Sequence, residues 1–311
     1  ALQAEKKRKE SLFSCSSIKC SVLFCNIEDM LKRGTCLIAI LWGICCWPGI
    51  ARAQQIKVKR LGHGYYRQPV GDEKKSSYAF DWYAPEGKVE GLRPLVINLH
   101  GGGFKLGNKR SASTPFFSRA YAAKGFFCAS INYRKSKGHP LRNVDDLKQA
   151  CYDATDDLAA AIRYFKSHAE AFQIDTNRII LAGNSAGAMT VLQFAFRQPA
   201  DERLNGIKAI VNCWGALFDS TWINHARVPI VSITGGSDRV VSPRKGPGQG
   251  CASECIDAGA AQAGFAHAIK IYPHIGHELH KNFNPLFAGF GARKRWKTAA
   301  DFILLFLREQ L

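Results

Sequence analysis

At residues 178–187 the chain reads Arg178-Ile179-Ile180-Leu181-Ala182-Gly183-Asn184-Ser185-Ala186-Gly187. The apolar part predicts a strand over 178–182, and the residues after the motif predict a helix over 186–196. The turn between them must be tight, and it needs small residues on either side of Ser185. In the pattern Gly-x-Ser-x-Gly the backbone of the serine is strained and projects its hydroxyl above the sheet edge. A strand, a turn and a helix in this order are the context in which the pattern positions a nucleophilic serine. The alternative is a glycine-rich turn with an incidental serine at the helix start.

Short β-rich apolar runs alternate with longer amphipathic runs on both sides of this motif, which is typical of a sheet with crossover helices. Predicted strands cover residues 77–83, 94–99, 126–133, 178–182, 207–213, 229–234 and 268–272, and predicted helices cover 114–124, 144–171, 186–196, 252–263 and 296–311. Several strands are nearly continuous apolar runs, as expected when both sheet faces are covered. We therefore expect one α/β domain over residues 54–311, with a mostly parallel central sheet flanked by helices and a minimal lid.

A second glycine motif, His100-Gly101-Gly102-Gly103-Phe104, ends the predicted strand 94–99. Three glycines after a strand allow backbone N–H groups to approach a substrate oxygen closely. Taken alone, the motif could also be a plain glycine turn.

Together the two motifs make the chain resemble the α/β-hydrolase superfamily, in particular its carboxylesterase and hormone-sensitive-lipase-like branch with an H-G-G-G loop. The resemblance spans about residues 92–280 and includes Asn132-Tyr133-Arg134 after the next strand. It implies the α/β-hydrolase fold, a serine carboxylic ester hydrolase, and an oxyanion hole made by the backbone N–H groups of Gly102, Gly103 and Ala186.

A serine hydroxyl needs a base, and the base needs a carboxylate to hold its tautomer. In this superfamily the order along the chain is serine, acid, histidine. By this resemblance Asp238, just after the predicted strand 229–234, is the acid, and His277 in Gly276-His277-Glu278 is the base. Asp219 and Asp257 are the competing carboxylates.

Three histidines spaced by three residues, His274, His277 and His280, raise the alternative of a metal site. Pro273 and Gly276 argue against the helix that would align them, and Glu278 does not complete an H-E-x-x-H pattern. We expect no metal and no cofactor.

Residues 30–53 have the layout of a secretory signal peptide. Lys32 and Arg33 precede an apolar run over 36–47, and Pro48 and Ala51-Arg52-Ala53 follow it. The run is shorter than the roughly 20 residues of a membrane-spanning helix, so cleavage after Ala53 is favoured over a retained anchor. We expect a secreted or periplasmic protein, and interpret residues 1–29 as a non-native extension, with a disordered basic arm as the alternative.

Most of the cysteines lie in this leader, whereas most of the excess positive charge lies after it. Six of the 11 cysteines lie in residues 1–53, whereas residues 54–311 still carry 35 Lys and Arg against 21 Asp and Glu. Cys251 and Cys255 are a candidate disulfide pair that would need an irregular turn, since cysteines four apart on a regular helix fit disulfide geometry poorly. No basic stripe with interleaved aromatics indicates nucleic-acid binding. We attribute the charge to steering of anionic substrates such as uronate-bearing polymers.

Few residues are available for a lid, so we expect an open site for short-chain acyl esters or ester groups carried on polysaccharides. Phe104, Trp214 and Phe218, with Trp222 and Phe283, are candidates to line it, and core packing is their alternative role. The partner is then a small-molecule or polysaccharide-borne ester. The rival functions are a non-catalytic binding protein on the same fold, a serine peptidase, or a lipase or acetyl or feruloyl polysaccharide esterase.

Overall fold

The strands of the molecule lie mostly in one sheet. The computed structural model describes residues 58–87, 90–111, 113–248, 250–282, 284 and 289–311, so the expectations for residues 1–53 and for Phe283 lie outside the described residues. The strands in the described part are β1 (Val58–Tyr65), β2 (Ala79–Pro85), β3 (Arg93–Leu99), β4 (Phe127–Ile131), β5 (Ile174–Asn184), β6 (Ile207–Cys213), β7 (Ala216–Leu217), β8 (Ile230–Gly235), β9 (Cys251–Ala252) and β10 (His267–Tyr272).

Helices cover both faces of this sheet. They are α1 (Ser113–Ala122), α2 (Val144–Ser167), α3 (Ala169–Phe172), α4 (Ala186–Phe196), α5 (Ser253–Ala263) and α6 (Phe290–Gln310), with short 3-10 turns at Lys75–Tyr78, Glu202–Leu204, Ser220–His225 and His277–Leu279. None of the helices that the structure describes has an apolar stretch long enough to cross a membrane.

The main sheet has the strand order β1-β2-β4-β3-β5-β6-β8-β10. β1 pairs with β2, and β2 with β4, in antiparallel register, whereas every other pair in this sheet is parallel. The expected mostly parallel central sheet is therefore present. Because the carboxyl ends of parallel strands meet at one edge, the loops after β3, β5, β6 and β8 lie side by side.

Two cores form because successive side chains of a strand point to opposite faces. In β3, Leu95, Ile97 and Leu99 pack in the core beneath α2 and α4, whereas Val96 packs in the core beneath α1 and α6. Burial on both faces explains why such strands are apolar throughout.

The predicted elements differ from the structure mainly at their ends. The predicted helix 144–171 is divided at His168, whose backbone (φ −113°, ψ 23°) leaves the helical region between α2 and α3. The last helix begins at Phe290 and not at residue 296. The pattern missed its first turn because Phe290 is exposed there and the turn shows no apolar periodicity. The sequence did not predict the limits of β1, because Gly62 and Gly64 interrupt its strand pattern.

Cys251 and Cys255 form a disulfide with a Cα–Cα distance of 5.4 Å. The objection from helix geometry does not apply, since Cys251 lies in β9 and only Cys255 lies on α5. Cys128, Cys151 and Cys213 are free and buried, as expected for small apolar side chains.

Removing this disulfide with Cys251→Ala and Cys255→Ala is expected to lower the free energy of unfolding by about 2 kcal/mol. The value is small because the bond closes a very short loop, which restricts the unfolded chain only modestly. Urea denaturation of the wild type with and without dithiothreitol measures the same quantity. The double variant should not respond to the reductant; a response of equal size would assign the effect to another thiol.

Candidate active site

The ends of β3, β5 and β6 bring the two glycine motifs together. Leu99 pairs with Gly183, and Asn184 pairs with Cys213, so the residues that follow these positions are neighbours. Ser185 therefore stands at the carboxyl edge of the sheet, beside the loop that begins at His100.

Ser185 has the strained backbone expected of a nucleophile elbow. Its φ of 52° and ψ of −116° lie in a region that costs a non-glycine residue about 1–3 kcal/mol. Two backbone hydrogen bonds hold it there: its N–H donates to the Cys213 carbonyl at 2.9 Å, and its carbonyl accepts from Met189 at 2.9 Å. The position at the start of α4 also places the positive end of the helix dipole beside the hydroxyl.

Close backbone contacts require the two glycines of this motif. A Cβ on Gly183 would lie 2.3 Å from the backbone of Gly187, and a Cβ on Gly187 would lie 2.4 Å from the Leu99 carbonyl. Any larger residue at these positions would push α4 away from the sheet.

The side chains of Ser185, His277 and Asp238 form one hydrogen-bonded relay. His277 Nε2 lies 2.9 Å from Ser185 Oγ, and His277 Nδ1 lies 2.7 Å from Asp238 Oδ2. A carboxylate only accepts hydrogen bonds, so Nδ1 carries the proton and Nε2 is left to accept from the serine. All three residues are buried. The tautomer is thus the one that a general base requires.

The loops that carry the acid and the base are tied to each other. Ser237 N–H donates to the Ile275 carbonyl at 3.0 Å, and Gly236 N–H donates to the Tyr272 carbonyl at 2.9 Å. Asp238 is oriented further because its Oδ1 accepts from the amides of Val240 and Val241 at 2.8 and 3.0 Å. Both oxygens of the carboxylate are therefore occupied.

The competing residues have other partners. Asp219 accepts from Thr221 N–H at 2.8 Å and caps a 3-10 turn, and Asp257 pairs with His267 at 2.8 Å. His274 is exposed, whereas His280 is buried against Trp296 with a ring separation of 6.0 Å. Within the described residues no group of three or more His, Cys, Asp or Glu side chains is arranged to hold a metal.

The loop after β3 carries the glycines whose amides are expected to form the oxyanion hole. Gly102 and Gly103 have φ values of 117° and 57°, and the Gly102 carbonyl turns away to accept from Lys105 and Leu106 at 3.1 and 2.8 Å. No described residue accepts a hydrogen bond from the N–H of Gly102, Gly103 or Ala186. These amides are therefore available to a ligand oxygen.

His100 supports this loop from below. The hydroxyl of Tyr133 donates to the His100 carbonyl at 2.8 Å, and the two rings stack at 4.3 Å. Burial lowers the pKa of His100 to about 4, so its ring is neutral and donates from Nδ1 to the Gly101 carbonyl at 2.6 Å. His100 is thus a structural part of the motif.

Comparison with known proteins agrees with this architecture. A family model described as BD-FAE matches residues 80–212. Gut esterase 1 of Caenorhabditis elegans is 35% identical over 34% of this chain and 18% of its own length. The probable carboxylic ester hydrolase LipM of Mycobacterium tuberculosis is 27% identical over 52% of this chain and 36% of its own length. The chain thus spans only about a third or less of these curated relatives.

Solved structures match over much more of the chain. Thermogutta terrifontis esterase 2 aligns with 81% of this chain and 95% of its own, with a TM-score of 0.58 and 17% identity. The chain has the α/β-hydrolase fold. A truncated carbohydrate esterase from gut microbiota also shares this fold, with a TM-score of 0.54 and 19% identity over 82% of this chain and 98% of its own.

The aromatic residues expected to line the site of this α/β-hydrolase fold are placed elsewhere. Phe104 and Trp214 are fully buried and Phe218 is 5% exposed, and all three belong to the hydrophobic cores. Their apolar surface is worth more in the core than beside water, so the alternative of core packing describes them. The expectation of a lining role for these three is corrected accordingly.

An exposed apolar residue beside the glycine loop is one that the pattern did not single out. Leu141 is 67% exposed, and its Cδ2 lies 2.4 Å from the point that a Cβ on Gly103 would occupy. It comes from the segment between β4 and α2, which is distant in sequence. Only the tertiary structure brings it to this loop.

Glu278 is a further residue of the site, one that the sequence patterns left without a role. It follows His277 directly, and its Oε1 lies 3.4 Å from the point that a Cβ on Gly101 would occupy, where Ser185 Cβ is 3.1 Å away. An acidic residue beside the predicted base was the available signal, but its direction depends on the backbone of the loop.

Proposed function

We propose that the protein is a serine ester hydrolase that cleaves carboxylic esters by two-step acyl transfer. The relay from Asp238 Oδ2 through His277 to Ser185 Oγ, with contacts of 2.7 and 2.9 Å, is the observation that carries this proposal. The esterase names of the matched relatives support it.

In the first step Ser185 Oγ attacks the ester carbonyl while His277 Nε2 takes its proton. The carbonyl oxygen becomes an oxyanion, which the N–H groups of Gly102, Gly103 and Ala186 stabilise. His277 then gives its proton to the leaving alcohol, and the acyl group remains on Ser185.

In the second step water attacks the acyl-enzyme and His277 accepts a proton from it. The collapse of the second oxyanion releases the carboxylic acid, and the proton returns from His277 to Ser185. Asp238 holds the ring and stabilises the imidazolium in both steps.

We propose short acyl esters, or ester groups on larger carriers, as substrates. The described chain between β6 and β8 forms only β7 and the 3-10 turn Ser220–His225, which leaves the site without a large helical cover from this segment. The fold shared with a carbohydrate esterase supports esters carried on sugars as the second substrate class. A panel of p-nitrophenyl acetate, butyrate and octanoate with acetyl-xylan and methyl ferulate separates these classes. Activity that rises steeply with acyl length would contradict the proposal.

The rival is a non-catalytic binding protein on the same fold. Thermogutta terrifontis esterase 2 is described as phosphorylated by paraoxon, and we expect the same reagent to modify Ser185 here. Mass spectrometry of the peptide that contains Ser185 provides the test. A folded protein that stays unmodified at this peptide and hydrolyses no ester would favour the binding protein.

We also propose export with cleavage after Ala53, on the layout of residues 30–53. N-terminal sequencing of secreted material should begin at Gln54.

Asp238→Asn is expected to lower kcat by about ten-thousand-fold. An amide in place of the carboxylate can donate to Nδ1, which favours the tautomer whose Nε2 carries the proton and cannot accept from Ser185. Steady-state kinetics on p-nitrophenyl acetate measure the change. Asp257→Asn is the matched control, since its carboxylate binds His267 away from the relay. Equal losses in the two variants would exclude Asp238 as the specific partner of the base.

A further inference from the structure

The carboxyl group of Glu278 lies beside Gly101 and close to the nucleophile. Glu278 Oε1 and Ser185 Cβ lie 3.4 and 3.1 Å from one point, the position that a Cβ on Gly101 would occupy. The proposed acyl-transfer steps use Ser185, His277 and Asp238 but give Glu278 no part. A second acidic group, besides Asp238, therefore stands beside the reacting centre without an assigned role.

The backbone holds Glu278 in this direction at a cost. Glu278 and Leu279 have φ values of 52° and 59°, a left-handed conformation that two successive non-glycine residues rarely adopt. Side chains of α6 stabilise it: Trp296 Nε1 donates to the Glu278 carbonyl at 2.7 Å, and Arg295 Nε donates to the Leu279 carbonyl at 2.6 Å. The conformation is thus imposed by packing, and it turns the carboxyl group toward Ser185.

The carboxyl group itself has no hydrogen-bond donor within the described part of the chain. No described residue donates a hydrogen bond to either of its oxygens, although the side chain is only partly exposed. Burial, and to a lesser degree the charge of Asp238, raise the pKa of Glu278, while His277 opposes them. An acceptor that is poorly solvated and unpaired gains most from a donor that a ligand brings.

We propose that Glu278 is a specificity-determining residue, whose carboxyl oxygen accepts a hydrogen bond from a substrate hydroxyl group close to the ester. This proposal rests on the proposed ester hydrolase function and names the substrate class of that same site. The enzyme then prefers esters of diols, polyols or sugars to esters of simple alcohols, because only the former place a donor beside Glu278.

A hydroxyl donor fits this position better than an ammonium group. His277 becomes a cation when it takes the serine proton, and Arg295 lies against the adjacent carbonyl. A substrate ammonium beside Glu278 would be attracted by the carboxylate but repelled by the imidazolium that forms at His277 during the reaction. A neutral hydroxyl brings a donor without this repulsion.

The test compares two acetates that differ in one hydroxyl group, 2-hydroxyethyl acetate and ethyl acetate. We expect the wild type to favour the hydroxylated ester in kcat/KM, and Glu278→Ala to reduce that preference by about tenfold or more. Glu278→Gln, which keeps an acceptor oxygen, should restore part of it. Glu309→Gln, at an exposed residue of α6, is the matched control and should keep the wild-type ratio.

The outcomes separate this proposal from the proposed ester hydrolase function on which it rests. A folded wild type that hydrolyses neither acetate nor p-nitrophenyl acetate refutes the hydrolase function itself. An active enzyme whose ratio is the same in Glu278→Ala and in the wild type overturns the role of Glu278, including the case in which both rates fall equally. A third ester, 2-(dimethylamino)ethyl acetate, gives the last arm: if only its turnover depends on Glu278, the hydroxyl assignment is wrong.

The stability of Glu278→Gln provides an independent readout. The titratable groups that interact with Glu278 are His277, Asp238 and Cys213, whereas Arg295 donates to the backbone carbonyl of the next residue, Leu279. Because the folded-state pKa is raised, ionisation of Glu278 opposes folding at neutral pH and has no such effect below the ordinary value of 4.5. We therefore expect Glu278→Gln to have a higher Tm than the wild type at pH 7, with the difference vanishing near pH 4. A lower Tm at pH 7 would assign the residue a structural role and overturn the proposal.

Discussion

Ser185→Ala is expected to lower kcat on p-nitrophenyl acetate by about a million-fold while the fold is retained. The loss is this large because the serine, base and acid act as a unit, so that removal of the nucleophile abolishes covalent catalysis altogether. Apart from the hydrogen bond of its hydroxyl to His277, Ser185 is held by backbone hydrogen bonds to Cys213 and Met189, and an alanine keeps these. Steady-state kinetics and thermal unfolding of the same samples measure both effects.

Ser167→Ala is the matched control for this substitution. Ser167 is exposed at the end of α2, and its hydroxyl bonds only nearby atoms of that helix end. We expect it to keep the wild-type kcat. A Ser185→Ala variant within tenfold of the wild-type rate would remove Ser185 as the nucleophile and with it the proposed mechanism.

The largest expected loss of stability is that of Asp81→Ala, about 3–5 kcal/mol in the free energy of unfolding. Asp81 is fully buried in β2, and its carboxylate is surrounded by four basic side chains within 2.6–3.4 Å: Arg60, His63, Lys109 and Arg110. Removing the carboxylate leaves the buried ammonium of Lys109 without its counter-ion, and an uncompensated buried charge is costly.

Asp72→Ala is the matched control for the Asp81 variant. Asp72 forms an ion pair of 3.0 Å with Lys137, but both side chains are exposed and screened by solvent, so the expected loss is much smaller than that of Asp81→Ala. Urea denaturation at pH 7 measures both variants. If Asp81→Ala lost no more stability than Asp72→Ala, the buried cluster would not contribute to folding.

The contribution of Asp81 should also depend on pH. Burial alone would raise the pKa of Asp81, but hydrogen bonds from Arg110 and Lys109 outweigh it and hold the pKa at about 2. A depressed folded-state pKa means that the stabilisation is complete above the ordinary value near 3.8 and is lost as the pH falls toward 2. The difference between wild type and Asp81→Ala should therefore shrink between pH 4 and pH 2.

Sequence patterns predicted best those elements whose bounds are marked by a clear local pattern. Strand β6 and helix α4 begin and end where the pattern placed them, because β6 is an apolar run buried on both faces and α4 follows directly on the elbow. β1 shows the opposite case. A Cβ on Gly62 would lie 2.2 Å from the Trp82 ring, so the residue that interrupts the strand pattern is required by a partner on β2. Such a cross-strand contact leaves no local signal.

The disulfide and the aromatic residues show the same limit. Cys251 and Cys255 look like helix neighbours in sequence, and only the start of α5 at Ser253 separates them into a strand and a helix. Phe104 and Trp214 follow strand ends beside the site, yet each side chain turns into a core. Composition cannot distinguish a side chain that lines a pocket from one that fills the space beneath it.

By itself the sequence determined the class of fold and the identity of the chemical groups, because both depend on short-range patterns. Gly-x-Ser-x-Gly between a strand and a helix, a glycine loop after an earlier strand, and the order of Ser185, Asp238 and His277 are all read along the chain. The tertiary structure alone decided the distances among them and the direction of Glu278. Those depend on hydrogen bonds between loops and on α6, more than ten residues away in sequence, which hold the backbone after His277 in a conformation that no local preference would choose.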